Sequence, residues 1–306
     1  MRTTTQNFVL QSDFDGLNLH LIVVEPTGEK KGVLQILHGM CEFKERYLEF
    51  MQFFAEQGYI VACHDQRGHG DSVKETGDLG YFYDNNAVAI VEDAVQVTRF
   101  LKEKYQGLTI TLFGHSMGSM VARCYLQKHD NLIDKAIICG SPSKNPLAGT
   151  AIVMTKLISL FCGTKHRSKL LAYLSTGRGN KRFKGEGAGA WLSHNRENIQ
   201  AFYQNPKSRA VFTCNGFENL FKLMKNSYQT KRYEVKNAGL PILFVSGSED
   251  AVLGNERKWF QTIEGLRKAG YQEVSGKLYE GQRHEIFHDE KREEVLADLL
   301  RFLQNA

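Results

Sequence analysis

The chain has 306 residues, of which 42% are apolar and 24% charged, and a formal net charge of +5. These are the proportions of a soluble globular protein, and the length suits one α/β core with an insertion. No run reaches the about 18 apolar residues of a membrane span, and the start MRTTTQNFVLQSDFDG has no apolar signal segment. The six cysteines are scattered without a CxxC or zinc spacing, and no GxxxxGK[ST] phosphate loop is present. A cytoplasmic protein with reduced thiols and no metal or organic cofactor is expected.

FVLQ (8–11) and LNLHLIVVEP (17–26) read as an antiparallel pair around the turn DFDG. Six further runs follow: GVLQILHG (32–39), GYIVACHD (58–65), LTITLFGHS (108–116), DKAIICGSP (134–142), LPILFVSGSED (240–250) and SGKLYEGQRH (275–284). That makes eight candidate strands. Amphipathic stretches at 45–58, 87–105, 119–129 and 256–270 lie between most of them, and 290–303 closes the chain. The alternation predicts an α/β fold, a mostly parallel eight-stranded sheet with helices on both faces. Catalytic groups are expected at the carboxyl ends of the strands.

The rhythm breaks once. Residues 143–237 contain helix-like segments and a glycine-rich basic loop, STGRGNKRFKGEGAGA (175–190), but no strand pattern. Between Pro142 and Asn237 there are 17 Lys and Arg against 4 Glu and no Asp, so this stretch is strongly basic while the remainder is net acidic. The expected organisation is an α/β core from 1–142 and 238–306, with 143–237 inserted as a helical cap over the carboxyl edge of the sheet.

GHSMG (114–118) follows an apolar, β-branched run and precedes a helical one. A turn that leaves a strand and enters a helix this sharply needs glycines on either side, and it holds the central serine outward as a nucleophile elbow. Serine is a poor nucleophile at neutral pH unless an imidazole takes its proton and a carboxylate fixes the imidazole. In this chain order the acid comes next and the histidine last. His284, in the EGQRHE loop, is the candidate base, with His288 four residues on as the competitor. Asp250 and Glu249 compete as the acid in GSEDAVLG; a helix N-cap is the structural alternative for Asp250. The oxyanion donors expected are the backbone N–H groups of Met117 and of Met40 in LHGMCE (37–42). His38 fits loop bracing, and Cys41 would need a base of its own to act as a nucleophile.

HGMCEFKERY (38–47), DQRGHGDS (65–72), GHSMGS (114–119), SGSEDAVL (246–253) and GQRHEIFHD (281–289) together resemble the monoacylglycerol lipase and lysophospholipase branch of the α/β-hydrolases. The resemblance runs in order over nearly the whole chain and is weakest in the cap. It implies the α/β-hydrolase fold, a triad of Ser116, Asp250 and His284 with Met40 and Met117 as backbone donors, and an acyl-chain tunnel under the cap. It also implies a mostly structural loop carrying Asp65, Arg67, His69 and Ser72. Met40 and Cys41 stand where animal monoacylglycerol lipases have a small residue, so the acyl and alcohol pockets should differ in shape.

Three classes follow. The first is a serine hydrolase cleaving carboxylic esters of single-chain lipids. The second uses the same machinery on small esters, thioesters or amides. The third is a non-catalytic ligand binder, disfavoured because all three triad positions are filled. AIVMTKLISLFC (151–162) reads as a lining for an acyl chain, a lipid contact or an ordinary packed helix. The basic cap suits an anionic lipid or phosphorylated ester, or is simply a solvated surface; no fold for reading nucleic acid bases accompanies it. The sequence is silent on oligomeric state.

Overall fold

The runs VLQIL, YIVAC and ITLF form strands buried along their whole length. Burial of this kind is what a strand covered by helices on both faces requires. The computed structural model describes residues 2–305, apart from the side chains at 176–178 and 180. The strands are β1 Thr3–Gln11, β2 Asn18–Pro26, β3 Gly32–Leu37, β4 Tyr59–His64, β5 Ile110–His115, β6 Lys135–Cys139, β7 Ile242–Gly247 and β8 Val274–Tyr279. They make one sheet in the order β1-β2-β4-β3-β5-β6-β7-β8. β2 runs antiparallel to both β1 and β4, and every other pairing is parallel.

The helices are α1 Leu48–Glu56, α2 Ala89–Lys104, α3 Met117–His129, α4 Ala148–Cys162, α5 Lys169–Ala172, α6 Arg178–Arg182, α7 Arg196–Gln204, α8 Cys214–Asn226, α9 Glu256–Ala269 and α10 Arg292–Gln304. Alternate strand residues serve opposite faces. Val33, Ile60, Leu112 and Ile138 pack with Ile90, Val95, Met120, Val121, Trp259 and Ile263 from α2, α3 and α9. Leu34, Val61, Phe113 and Ile137 pack with Phe50, Phe54, Val295 and Leu299 from α1 and α10. Each such fully buried side chain contributes about 1.5–3 kcal/mol.

Two local readings change. β1 begins at Thr3, because the polar TTTQN still pairs with Ile22–Pro26 on an edge strand whose outer face is wet. The expected loop at 175–190 starts as helix, with one wide turn at Tyr173–Gly177 followed by α6. Gly179 explains why a glycine sits there: a Cβ would lie 3.0 Å from Cγ of Trp191. The segment from Ala148 to Asn226 carries α4–α8 and, among the described residues, no strand.

Candidate active site

Ser116 follows β5 and stands at the N-cap of α3 with φ 53° and ψ −114°, a backbone conformation that only surrounding constraints can hold. Those constraints are visible. The Ser116 N–H donates to Cys139 O at 3.0 Å, and the Ser119 hydroxyl donates to Ser116 O at 2.5 Å. A Cβ on Gly114 would lie 2.5 Å from Gly118 O, and one on Gly118 would lie 2.0 Å from Leu37 O. The two glycines therefore let α3 start against the ends of β5 and β3, and the serine is the residue left projecting.

Ser116 Oγ lies 2.8 Å from His284 Nε2, and His284 Nδ1 lies 2.8 Å from Asp250 Oδ2. Asp250 follows β7, is fully buried, and accepts from the Val252 N–H at 2.9 Å and the Ser246 hydroxyl at 3.0 Å. It thus caps the single turn Ala251–Leu253, while Asn255 caps α9. Glu249 instead is partly exposed, 3.8 Å from Arg283 Nε. His288 packs on Phe287, with its N–H bonded to Glu285 O. Gly140 leaves the space for the imidazole, since a Cβ there would come within 3.1 Å of His284 Cε1.

Burial alone would keep His284 neutral, but the charge and hydrogen bond of Asp250 outweigh it and raise the imidazole above its ordinary value. Burial pushes the Asp250 carboxyl up, yet the charge and bond of His284 and the donors Val252 and Ser246 hold it below its ordinary value.

Under the three lies a second buried layer that the sequence reading did not assign. Glu42 accepts from the Gly39 N–H at 2.5 Å and the Tyr47 hydroxyl at 2.7 Å, and sits 3.1 Å from His115 Nδ1. His115 Nε2 reaches the His284 carbonyl at 3.4 Å. Arg46 joins Glu42 at 3.4 Å to Glu285 at 2.9 Å. The i,i+4 pair in CEFKER was the available signal; the partners at 115 and 285 lie too far along the chain to be read from spacing.

Ser116, His284, His115, Glu42 and Glu285 line a cavity of about 780 Å³ with Met40, Met117, Leu147, Trp191, Phe212, Leu220 and Met224. That volume lies within the range of small-molecule sites. His38 braces its loop, accepting from the Gln66 N–H at 3.0 Å with its other nitrogen 2.8 Å from Gly39 O. Burial drives the Cys41 thiol up to about 12, too high for a nucleophilic thiolate.

In the 65–72 loop, Arg67 is buried between Asp93 at 2.7 Å and Asp15 at 3.0 Å, His69 packs on Phe82, and the Ser72 hydroxyl accepts from the His20 N–H. Asp65, Asp71 and Glu45 cluster, but the Lys44 ammonium already stands among them at 2.6–2.9 Å. No helix among the described residues is long and apolar enough to cross a membrane.

A sheet of this order with a serine on a strained turn after β5 defines an α/β-hydrolase. More narrowly, a family model described as "Serine aminopeptidase, S33" matches residues 28–291, and the chain belongs to that family. It is similar to the human monoglyceride lipase, at 24% identity over 90% of this chain and 82% of that protein. It is equally similar to the phospholipase YtpA of Bacillus subtilis, at 24% identity over 86% of this chain and 91% of that one. Among solved structures, a thermostable carboxyl esterase from Bacillus coagulans superposes with a TM-score of 0.87 at 26% identity, covering 98% of both chains.

Proposed function

We propose that this chain hydrolyses carboxylic esters of single-chain lipids, of the monoacylglycerol or lysophospholipid type, through a Ser116–His284–Asp250 triad. One observation carries the reading: the unbroken line of two 2.8 Å contacts from the Ser116 hydroxyl to Asp250, inside a largely apolar cavity. Ser116 Oγ–H donates to His284 Nε2, so His284 Nδ1–H donates to Asp250. His284 takes the serine proton as Oγ attacks the ester carbonyl, and the Met40 and Met117 N–H groups receive the oxyanion. Met40 is the donor expected in its loop because the Gly39 N–H is already given to Glu42. His284 then returns the proton to the departing alcohol, and water repeats the sequence on the acyl-enzyme.

Residues 143–237 act as the cap of this reading. Val153, Leu157, Leu160 and Phe161 recur on one face of α4 and are 58%, 54%, 76% and 83% exposed. In this reading that face meets lipid surfaces, and the excess of lysines and arginines in 143–237 favours anionic ones, each near the surface adding about 1 kcal/mol. The likeness to a carboxyl esterase keeps small esters as the second reading. An aminopeptidase would need a carboxylate for the substrate ammonium, and the cavity's Glu42 and Glu285 are already engaged by Arg46.

A p-nitrophenyl ester series from two to sixteen carbons, about the span of common acyl chains, tests the assignment. Turnover rising beyond short acyl groups is expected. A monotonic fall beyond four or so carbons would leave the small-ester reading in its place.

A further inference from the structure

The residues on either side of His284 are bonded to the residues on either side of Trp191. Arg283 Nη1 donates to Ala190 O at 2.7 Å, and the Glu285 N–H donates to Leu192 O at 2.8 Å. This register leaves Trp191 facing His284, with ring centroids 5.1 Å apart and planes inclined by 35°. The indole is held from its other neighbours as well. Gly179 of α6 lies close against its pyrrole carbons, and a Cβ on Gly189 would lie 2.5 Å from Tyr203 of α7, so the loop sits tightly on that helix. The connection continues past the pair. The Ser193 hydroxyl and the His194 N–H both donate to Asp289 Oδ1, at 3.1 and 2.9 Å, while the Arg283 N–H donates to Asp289 Oδ2 at 3.1 Å.

His115 stands near the same imidazole, centroids 4.8 Å apart. The base is therefore walled by one ring from the core and one from the segment between β6 and β7. A ring face at 5.1 Å also lies within the about 6 Å over which an aromatic attracts a cation, so the indole meets the imidazolium that forms during turnover.

We propose that Trp191 is a positioning residue for His284, so that the base is competent only while the 186–194 stretch is seated on the 283–289 loop. The proposal rests on His284 being the base. It goes beyond that reading by making a segment outside the sheet part of the catalytic geometry, whatever acyl chain the cavity holds.

p-Nitrophenyl acetate isolates the effect, because its acyl group is too short to depend on cavity contacts. Trp191→Ala should lower kcat on acetate about 10- to 100-fold, the range a misplaced catalytic group costs. KM should change less than about threefold, and Trp191→Phe should recover most of the loss. If Trp191 only lined the cavity, Trp191→Ala would keep wild-type acetate turnover and lose only long-chain esters, and that result overturns the proposal. Ser116→Ala run beside it separates the two ideas: full acetate turnover in that variant removes the triad reading itself.

Should Trp191→Ala fail to fold, tryptophan emission in the unaltered side chain decides. The chain has two tryptophans, and the other, Trp259, is buried in the core. Imidazolium in contact quenches indole, so emission should fall on acidification in wild type and not in His284→Asn. Identical profiles in the two proteins overturn the proposal.

Discussion

Gly118 and the Leu37 carbonyl approach so closely that a single added methyl group on the glycine would lie 2.0 Å from the oxygen. The neighbour is backbone, so no rotamer change can relieve it. Gly118→Ala is expected to cost at least the about 1–3 kcal/mol typical of overpacking, and to lower turnover by tilting the Ser116 turn. Gly265→Ala is the matched control. It lies in α9 with nothing within 4 Å of its would-be Cβ and should stabilise by about 0.5–1 kcal/mol. Denaturant midpoints of the two variants check both signs.

Ser116→Ala and Asp250→Asn should each lower kcat on a soluble ester by several orders of magnitude with the fold retained, as losses within a Ser-His-Asp unit do. Glu249→Gln should stay near wild type, because that partly exposed side chain lies beside Arg283 while His284 is bonded to Asp250. Steady-state kinetics on the three purified variants decides. A large loss at 249 with turnover kept at 250 would reverse the assignment of the acid.

The base must be neutral to accept the serine proton, so activity falls as pH drops through its titration. Asp250 holds His284 above 6.5, and the acid limb of kcat/KM is accordingly expected above 6.5. Removing the charge in Asp250→Asn leaves burial less opposed and moves the limb to lower pH. A pH–rate profile of the residual activity reads the direction; an upward move would contradict it.

His64 and His69 are buried, and burial lowers each to about 3. The unfolded chain takes up a proton at each near 6.5, while the folded chain does so only near 3. Both therefore withdraw stability as pH falls through that window, each by about 1.4 kcal/mol per pH unit at most. Urea unfolding at pH 7, 6 and 5 should show the decline, and His64→Leu should make it shallower.

Replacing Leu160 and Phe161 by serine should reduce binding to anionic vesicles while acetate turnover is unchanged, since both side chains are exposed on α4. Sedimentation with vesicles at two salt concentrations is the measurement. Unaltered binding would put the lipid contact elsewhere on the molecule.

The meeting of Ser116, Asp250 and His284 was legible because each follows a strand, and a parallel sheet gathers strand ends at one edge. The central strands were legible from β-branched runs, whereas TTTQN at the start of β1 was not, because an edge strand needs no apolar pattern. Trp191, His115 and Glu285 left no signal. Their roles depend on pairings across about 70 to 240 residues, such as Glu42 with His115 and Arg46 with Glu285, which no local periodicity encodes. The helical turns at 173–182 were hidden by a glycine-rich run that reads as loop, in which Gly179 serves as contact surface for an indole.

Ser116 and His284 are 168 residues apart in the chain. On a ribosome adding about 5–20 residues per second, the serine is therefore made roughly 10–30 seconds before the histidine. If His284 is the base proposed above, a nascent chain carries its strained serine turn without the group that takes its proton, and a product lacking β8 and the loop after it is expected to be hydrolytically silent. On the proposed triad, ester cleavage becomes possible only once synthesis has passed His284 and its loop has closed on the serine turn.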